Sequence, residues 1–356
     1  MPNTQHHKAS PKGNTSLKIL TFGAGAIGTY IGGSLALQGH KVTFLERPQV
    51  AQDIRSHGMR LELKGERHTI SNPSVAGSLV EALKLGPFDV GIFALKSYHT
   101  EMMLKDLLPY KDKIPPLLCL QNGVENETTL GQALGPDNVI PGTVTSAIGR
   151  LDAGDIRLEK NRGIGVSSGH PLSQRLVTAC NEANLNAELF SQPMAMKWSK
   201  MLTNLLANAS SAILDMPPAE VFAHPGLYRL EVQQIREALA VMRAQNLRPV
   251  NLPGTPVKLL AWVLRFLPVK LSQPLIKKAV GGGRGGKMPS FHIDLHSGRG
   301  RSEVDYLNGA VVRFGKRFGI TTPVNRLLNE TLLRLTRGEI PLETYARQPE
   351  KLLREW

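Results

Sequence analysis

The sequence predicts an α/β protein: an N-terminal domain built on a doubly wound parallel sheet, followed by a mainly α-helical C-terminal domain. As far as about residue 190, short apolar runs alternate with helical patterns, as expected of a parallel sheet. From about Ser191 onward, patterns with a period of about 3.6 residues replace the strand signals. We therefore predict domains at 17–190 and 191–356, with the boundary at 188–194, after a disordered tail at 1–16.

The chain is strongly basic, with a formal net charge of +14 and an isoelectric point near 9.9. This charge suits nucleic acid, an acidic membrane surface or small anionic ligands. Aromatic residues do not alternate with Lys or Arg as in RNA-reading domains, so no nucleic-acid partner is expected. The two cysteines lack metal-ligand spacing and predict buried thiols without a metal site. Because no apolar run approaches about 20 residues, we expect a soluble, cytoplasmic protein.

A glycine-rich turn follows the first apolar run, which covers residues 17–22. The turn consists of Gly23, Ala24, Gly25, Ala26, Ile27 and Gly28. A helical pattern and a second β-rich run at 41–45 complete a βαβ unit of about 30 residues. Gly23 permits the turn, Gly25 lets the backbone approach a pyrophosphate, and Gly28 lets the helix pack on the strand. The motif in this context predicts a Rossmann-type domain whose turn binds a dinucleotide.

Two residues of opposite charge end the second strand. Glu46 could accept hydrogen bonds from the ribose diol of NAD, whereas Arg47 could pair with the 2′-phosphate of NADP. Neighbouring side chains at a strand end point apart, so only one of them is expected to reach the ribose. The strand pattern alone leaves the choice between NADH and NADPH open.

Two later strands are also followed by polar residues. The run at 89–95 ends in Lys96, and the run at 117–120 leads into Gln121-Asn122-Gly123. Doubly wound sheets bind ligands at the carboxyl ends of their strands, so Lys96 and Asn122 are candidate contacts. A surface lysine and an Asn-Gly turn are also common structural features.

In the C-terminal half, Lys200, Asn204 and Asn208 recur at intervals of four in a largely apolar segment. This spacing predicts that they stack along one side of a single helix. Buried amides need hydrogen-bond partners, which the oxygens of a substrate could supply. The alternative is a solvated stripe, but such stripes usually carry Glu and Lys rather than amides. Ser290 and Glu303, in a later polar segment, are further candidate contacts.

Taken in order, these motifs resemble the ketopantoate reductase family over nearly the whole chain. The shared features are the glycine-rich turn, Lys96, Gln121-Asn122-Gly123, Lys-x-x-x-Asn-x-x-x-Asn at 200–208, and Ser290 with Ser302-Glu303-Val304-Asp305. The resemblance implies NADPH-dependent reduction of 2-dehydropantoate (ketopantoate) to pantoate, with hydride from NADPH and a proton from Lys200. It also implies that Asn204 and Asn208 hold the substrate and that Ser290 contacts its carboxylate end. The implied cofactor contacts are Arg47, Lys96, Asn122, Glu303 and the backbone at Ala147-Ile148.

The sequence departs from the family pattern on the substrate side. A further pocket asparagine of the family falls at Pro218, the segment between Ser290 and Glu303 is one residue longer, and an insertion occupies about 252–287. A related NADPH-dependent reductase of another 2-oxo acid or of an imine therefore stays open as an alternative.

The insertion suggests an alternative of a different class, a non-catalytic NADPH-binding or membrane-surface module. Residues 256–280 mix Leu, Trp and Phe with Lys and Arg. A packed helical pair is the simpler interpretation, and Pro268 and Pro274 are expected to break a long surface helix, which disfavours membrane contact. The glycine-rich stretch at 281–286 is interpreted as a hinge or lid. The broad apolar helical surface suggests a homodimer.

Overall fold

The computed structural model describes residues 16–281, 287–298 and 300–356. The predicted disordered tail, except Ser16, and residues 282–286 of the predicted hinge or lid lie outside these ranges. The predicted fold class is confirmed, because a mainly parallel sheet is followed by a helical part. The last strand of that sheet ends at Phe190 and the next helix begins at Pro193; we propose the domain boundary at this junction.

Twelve strands lie within the described residues. They are β1 (Lys18–Phe22), β2 (Lys41–Leu45), β3 (Met59–Leu63), β4 (Glu66–Ile70), β5 (Ser74–Ala76), β6 (Val90–Phe93), β7 (Leu117–Cys119), β8 (Val139–Val144), β9 (Ala147–Asp152), β10 (Asp155–Lys160), β11 (Ile164–Ser167) and β12 (Ala187–Phe190). Eight of them form one sheet in the order β12-β11-β8-β7-β6-β1-β2-β5, in which only the β8–β11 pairing is antiparallel.

The central strand β1 is buried on both faces. Ile19 packs into the core on one side of the sheet, whereas Leu20 and Phe22 pack into the core on the other side. Strands covered on both faces are apolar throughout, which explains why β1 appears in the sequence as a continuous apolar run. Because β1, β6 and β7 are parallel neighbours, their carboxyl ends lie at the same edge of the sheet. The predicted ligand contacts lie at this edge.

A second sheet, which the sequence patterns do not predict, contains four strands in the order β4-β3-β10-β9. Its strands are half-exposed, so their alternating pattern contains only a few apolar residues such as Met59 and Leu61. Helix α1 (Ala26–Leu37) contacts both sheets. Gly33 allows this close packing, since a Cβ there would lie 2.7 Å from the Leu61 side chain.

The remaining α-helices of the described residues connect the strands and build the C-terminal part. They are α2 (Pro48–His57), α3 (Leu79–Lys84), α4 (Thr100–Leu107), α5 (Asn126–Leu134), α6 (Ser173–Glu182), α7 (Pro193–Leu205), α8 (Asn208–Leu214), α9 (Pro218–Ala223), α10 (Pro225–Ala244), α11 (Val257–Phe266), α12 (Val269–Gly281), α13 (Ser290–His296), α14 (Val304–Arg317), α15 (Pro323–Thr336) and α16 (Pro349–Arg354).

The helical part packs around the long helix α10, which contacts α7, α9, α11, α12, α14, α15 and α16. The insertion forms the expected helical pair, α11 and α12. The expectation that Pro274 breaks its helix is wrong, because α12 continues through that residue. Among the described helices, none combines the length and apolar character that crossing a bilayer requires.

Candidate functional site

The glycine-rich turn has the geometry that its sequence predicts. Gly23 has a φ of +91°, and a Cβ at Gly28 would lie 1.9 Å from the Gly23 carbonyl oxygen, so only glycine fits at both positions. Gly25 caps α1 without a side-chain hydrogen bond to the first helical amides. A Cβ at Gly25 would meet no atom within 4 Å among the described residues. Uncapped amides facing open space fit a bound anion such as a pyrophosphate.

Glu46 and Arg47, which follow β2, differ in their surroundings. Glu46 Oε1 accepts a hydrogen bond from the Ala24 amide at 2.7 Å, and its Oε2 accepts one from the Arg47 amide at 3.2 Å. The Glu46 carboxylate therefore lies against the glycine-rich turn, while Arg47 is exposed. That only one of the two side chains reaches a ribose stays a prediction.

Lys96, which follows β6, connects the N-terminal domain to the helical domain. Its Nζ lies 3.0 Å from both Asp294 Oδ2 and Glu303 Oε2. Glu303 Oε1 also accepts hydrogen bonds from the Ser97 amide and hydroxyl at 3.0 and 3.1 Å. Burial lowers the pKa of Lys96, but the carboxylates of Glu303 and Asp294 outweigh that effect and raise it above its ordinary value.

A second contact between the domains joins two predicted site residues. The Asn204 amide donates to Asn122 Oδ1 at 2.9 Å. The Asn122 carbonyl accepts from the Asn126 amide at 2.7 Å and from the Ser97 hydroxyl at 3.0 Å. These bonds fix the loop after β7 and hold Asn204 at the carboxyl edge of the sheet.

Lys197 makes a third contact between the domains, and the sequence patterns do not predict it. Its ammonium donates to the carbonyls of Gln121 at 2.6 Å and Gly142 at 3.2 Å, and forms an ion pair with Glu127 at 2.6 Å. Only 2% of the Lys197 side chain is exposed. A buried charge is tolerated when such partners compensate its loss of hydration.

The predicted single helix carrying Lys200, Asn204 and Asn208 is interrupted. Helix α7 ends at Leu205, Ala207 adopts the left-handed conformation with a φ of +49°, and α8 begins at Asn208. The buried Glu231 carboxylate stabilises this break by accepting from the Ala207 amide at 2.7 Å and the Ser210 hydroxyl at 2.5 Å. Burial raises the pKa of Glu231 to about 7 despite these hydrogen bonds.

Asn208 nevertheless contacts its predicted neighbour. Its amide donates to the Ser290 hydroxyl at 3.3 Å, and its Oδ1 accepts from the Phe291 amide at 3.1 Å. Both polar groups of Asn208 therefore hold the start of α13. Because of the helix break, Asn204 and Asn208 lie on different helices and have different partners, Asn122 for the first and the start of α13 for the second.

Lys200 lies between two side chains that contact the N-terminal domain. Lys197, Lys200 and Asn204 have the spacing of one helical face, and the first and third bind the segment at 121–122. The opposite face of α7, which includes Trp198 and Leu202, packs in the core of the helical domain. Lys200 is partly buried and engaged in a polar contact. By helical geometry it faces the boundary between the two domains.

The predicted site residues thus meet in three pairs. The pairs are Lys96 with Glu303, Asn122 with Asn204, and Asn208 with Ser290. Ile148 lies on β9 and packs against the N-terminal core, so its contact with a cofactor stays a prediction. The sequence analysis misses four residues of these contacts: Lys197, Glu127, Ser97 and Asp294. Lys197 could have been identified from its helical spacing to Lys200 and Asn204.

Comparison with known proteins reveals matches over both domains. The profile described as ketopantoate reductase PanE/ApbA matches residues 19–169, and that of its C-terminal part matches residues 193–336. A 2-dehydropantoate 2-reductase from Lactococcus lactis is 26% identical over 312 residues, which cover 86% of this chain and 94% of that protein.

Solved structures are similar along almost their entire length. A PanE/ApbA family ketopantoate reductase from Ralstonia eutropha has a TM-score of 0.76 and 27% identity, covering 91% of this chain and 99% of that one. A D-mandelate dehydrogenase in a ternary structure with NADH and anilino(oxo)acetate has a TM-score of 0.73 and 24% identity, covering 90% and 99%. The chain therefore belongs to the ketopantoate reductase family of oxidoreductases.

Proposed function

We propose that the chain is an NADPH-dependent 2-dehydropantoate 2-reductase in which Lys200 is the proton donor. One observation carries this proposal: Lys200 lies on the face of α7 whose neighbours, Lys197 and Asn204, bind the segment that follows β7. That segment lies at the carboxyl edge of the sheet, where doubly wound folds bind their cofactors.

The N-terminal domain offers a site that fits the cofactor. The six residues of the turn at 23–28 would surround the pyrophosphate, with the open space beside Gly25 as its position. Lys96, Asn122, Ile148 and Glu303 would line the rest of the cofactor site. When bound, the reduced nicotinamide supplies the hydride.

Arg47 is the residue that would favour NADPH over NADH. The Glu46 carboxylate is engaged by two backbone amides, whereas Arg47, the next residue, is exposed. A guanidinium forms strong paired hydrogen bonds with phosphate. We expect Arg47→Ala to raise the KM for NADPH about tenfold or more while the KM for NADH changes little. Equal KM changes for both cofactors would contradict this role.

The helical domain supplies the substrate side of the cleft. The amide nitrogens of Asn204 and Asn208 each have two N–H donors, so beside their bonds to Asn122 and Ser290 they could donate to the oxygens of a 2-oxo acid, as could the Ser290 hydroxyl. As the ketone is reduced, negative charge develops on its oxygen, and the Lys200 ammonium would stabilise that charge and donate the proton. Enclosure between two domains strengthens this stabilisation because it excludes water.

Lys200→Ala tests the proposal. We expect turnover of ketopantoate to fall about 100-fold or more, as is typical when a general acid is removed, while NADPH binding measured by fluorescence persists. The matched control is Lys84→Ala, which changes an exposed lysine at the end of α3 and should leave turnover unchanged. Turnover of Lys200→Ala equal to that of the control would remove Lys200 from the reaction.

Pro218 supports a second candidate, a reductase of another 2-oxo acid or of an imine. This residue is buried at the start of α9 and has no side-chain amide to offer a substrate. The pocket therefore lacks one polar contact that the family resemblance implies. Steady-state NADPH oxidation with ketopantoate and a panel of 2-oxo acids distinguishes the candidates: a kcat/KM highest for ketopantoate supports the first, and one highest for another acid supports the second.

A further inference from the structure

We propose that the outer face of α11 and α12, the hairpin face, binds the surface of an anionic lipid bilayer. The chain would bind the membrane peripherally, and the reaction at the active site would not change. This binding does not depend on the substrate or cofactor of the active site.

The hairpin face exposes five large apolar side chains. They are Leu259, Trp262, Phe266, Leu271 and Leu275, each more than half exposed. The first three have the spacing of one face of α11, and the last two lie one turn apart on α12. The Trp262 and Phe266 rings lie 6.3 Å apart. Solvent-exposed apolar clusters of this kind mark interaction surfaces in soluble domains.

The inner faces of the same helices are anchored in the helical domain. Val257, Ala261 and Leu264 of α11 are buried in its core. On α12, the Ser272 hydroxyl hydrogen-bonds the Tyr228 hydroxyl at 2.8 Å, and the Gln273 amide donates to the Phe222 carbonyl at 3.0 Å. The exposed side chains are therefore presented by helices whose inner faces are fixed to the helical domain.

The charges around these apolar residues have one sign. Between Glu237 and Asp294 the sequence contains no acidic residue. The basic side chains of the hairpin, which are all exposed, are Lys258, Arg265, Lys270, Lys277 and Lys278. On the neighbouring α9, Glu220 is already paired with Arg347. An amphipathic surface with Trp, Phe and Leu among Lys and Arg has the composition of interfacial membrane-binding helices.

The charges and side-chain types of the hairpin face favour a lipid surface over a second copy of the chain or a single-stranded nucleic acid. Two copies of the hairpin face would bring basic residues against basic residues, which opposes self-association. Single-stranded nucleic acid binds through aromatic stacking platforms, whereas three of the five exposed apolar residues are leucines. An anionic bilayer complements both features, because phosphate headgroups pair with the ammonium groups and the acyl boundary accepts the apolar side chains.

Vesicle flotation with the full-length protein tests the proposal. We expect binding to vesicles of phosphatidylcholine and phosphatidylglycerol in equal amounts, and at least roughly tenfold weaker binding to phosphatidylcholine alone. The double variant Trp262→Ser with Phe266→Ser should lose roughly tenfold in affinity for the mixed vesicles. The control, Leu151→Ser with Leu189→Ser, changes two exposed apolar residues of the N-terminal domain and should bind like the unmodified protein.

A second variant keeps the test independent of folding. Lys270→Glu with Lys277→Glu changes only exposed charges and should reduce binding to mixed vesicles, with circular dichroism unchanged. Equal binding to both kinds of vesicle, or undiminished binding by the Trp262 and Phe266 variant, overturns the proposal. So does dimerisation through the hairpin face, or oligonucleotide binding there, in the absence of vesicle binding.

Discussion

Two lysines cross between the domains in opposite directions, and their surroundings differ. Lys197 extends from the helical domain into the N-terminal domain and is 2% exposed, with a carboxylate and two carbonyls around its ammonium. Lys96 extends from the N-terminal domain to two carboxylates of the helical domain and is 38% exposed. Both ammonium groups are paired, but of the two lysines only Lys96 is substantially exposed to solvent.

The difference separates a structural contact from a contact that a ligand can use. An ammonium that is itself buried cannot exchange its partners for water or a ligand, so Lys197 fixes the relative position of the domains. A partly exposed ammonium can be shared with a bound anion at lower cost. Lys200 lies on the same face of α7 as Lys197, so that fixed contact also sets the position of the Lys200 backbone relative to the N-terminal domain.

The largest effect on stability is expected from Lys197→Met. Removing the ammonium leaves the Glu127 carboxylate buried without its partner, which should lower the free energy of unfolding by about 3–5 kcal/mol in urea titrations. The double variant Lys197→Met with Glu127→Gln removes both charges and should recover a large part of this loss. A loss below about 1 kcal/mol in the single variant would show that the pair behaves like an exposed one.

Glu231 is a buried carboxylate that, unlike Glu127, accepts hydrogen bonds from neutral donors. Glu231 accepts hydrogen bonds from Ala207, Ser210 and Gln234, and burial raises its pKa from 4.5 to about 7. The folded protein therefore retains a proton that the unfolded chain loses, and stability falls as the pH rises from about 4.5 through 7. From the size of this shift, the loss should be roughly 3 kcal/mol.

Glu231→Gln isolates this contribution, because the variant side chain cannot ionise. Urea unfolding at pH 5 and pH 8 should show that the protein loses more stability between the two values than the variant does. The same pH dependence in both would place the titration elsewhere, for example at the Glu237 carboxyl, whose pKa burial also raises.

The smallest effect on stability is expected from Lys96→Met. Lys96 is partly exposed, and Glu303 keeps its hydrogen bonds from the Ser97 amide and hydroxyl when the lysine is removed. The free energy of unfolding should therefore fall by about 2 kcal/mol, which is less than for Lys197→Met. Leaving Asp294 and Glu303 without the lysine would place negative charge beside a bound cofactor, so the KM for NADPH should rise about tenfold. A stability loss as large as that of Lys197→Met would erase the distinction between the two lysines.

The fold and much of the candidate site are predictable from sequence where local patterns determine geometry. The turn at Gly23 and Gly28, the buried strand β1 and the strand-end position of Lys96 follow from spacing and apolar runs. The second sheet is not predictable in this way, because its half-exposed strands alternate apolar and polar residues only weakly.

The break between α7 and α8, just before Asn208, cannot be predicted from the local sequence either. Ala207 is a good helix former, and its left-handed conformation depends on the Glu231 carboxylate from another helix. The roles of Lys197 and Glu127 also depend on contacts between residues far apart in the chain. Helical spacing identifies the shared face of Lys197, Lys200 and Asn204, but it does not show which partners that face meets.

The bonds of Lys197 to the carbonyls of Gln121 and Gly142 also have a consequence for how the protein unfolds. Separating the domains would expose Val124, which packs in the core of the helical domain, and would leave the Lys197 and Glu127 charges without each other. Neither domain is therefore expected to be stable when expressed alone. Heating should therefore give one cooperative transition for both halves, in calorimetry and in circular dichroism, although the chain passes between the domains only once.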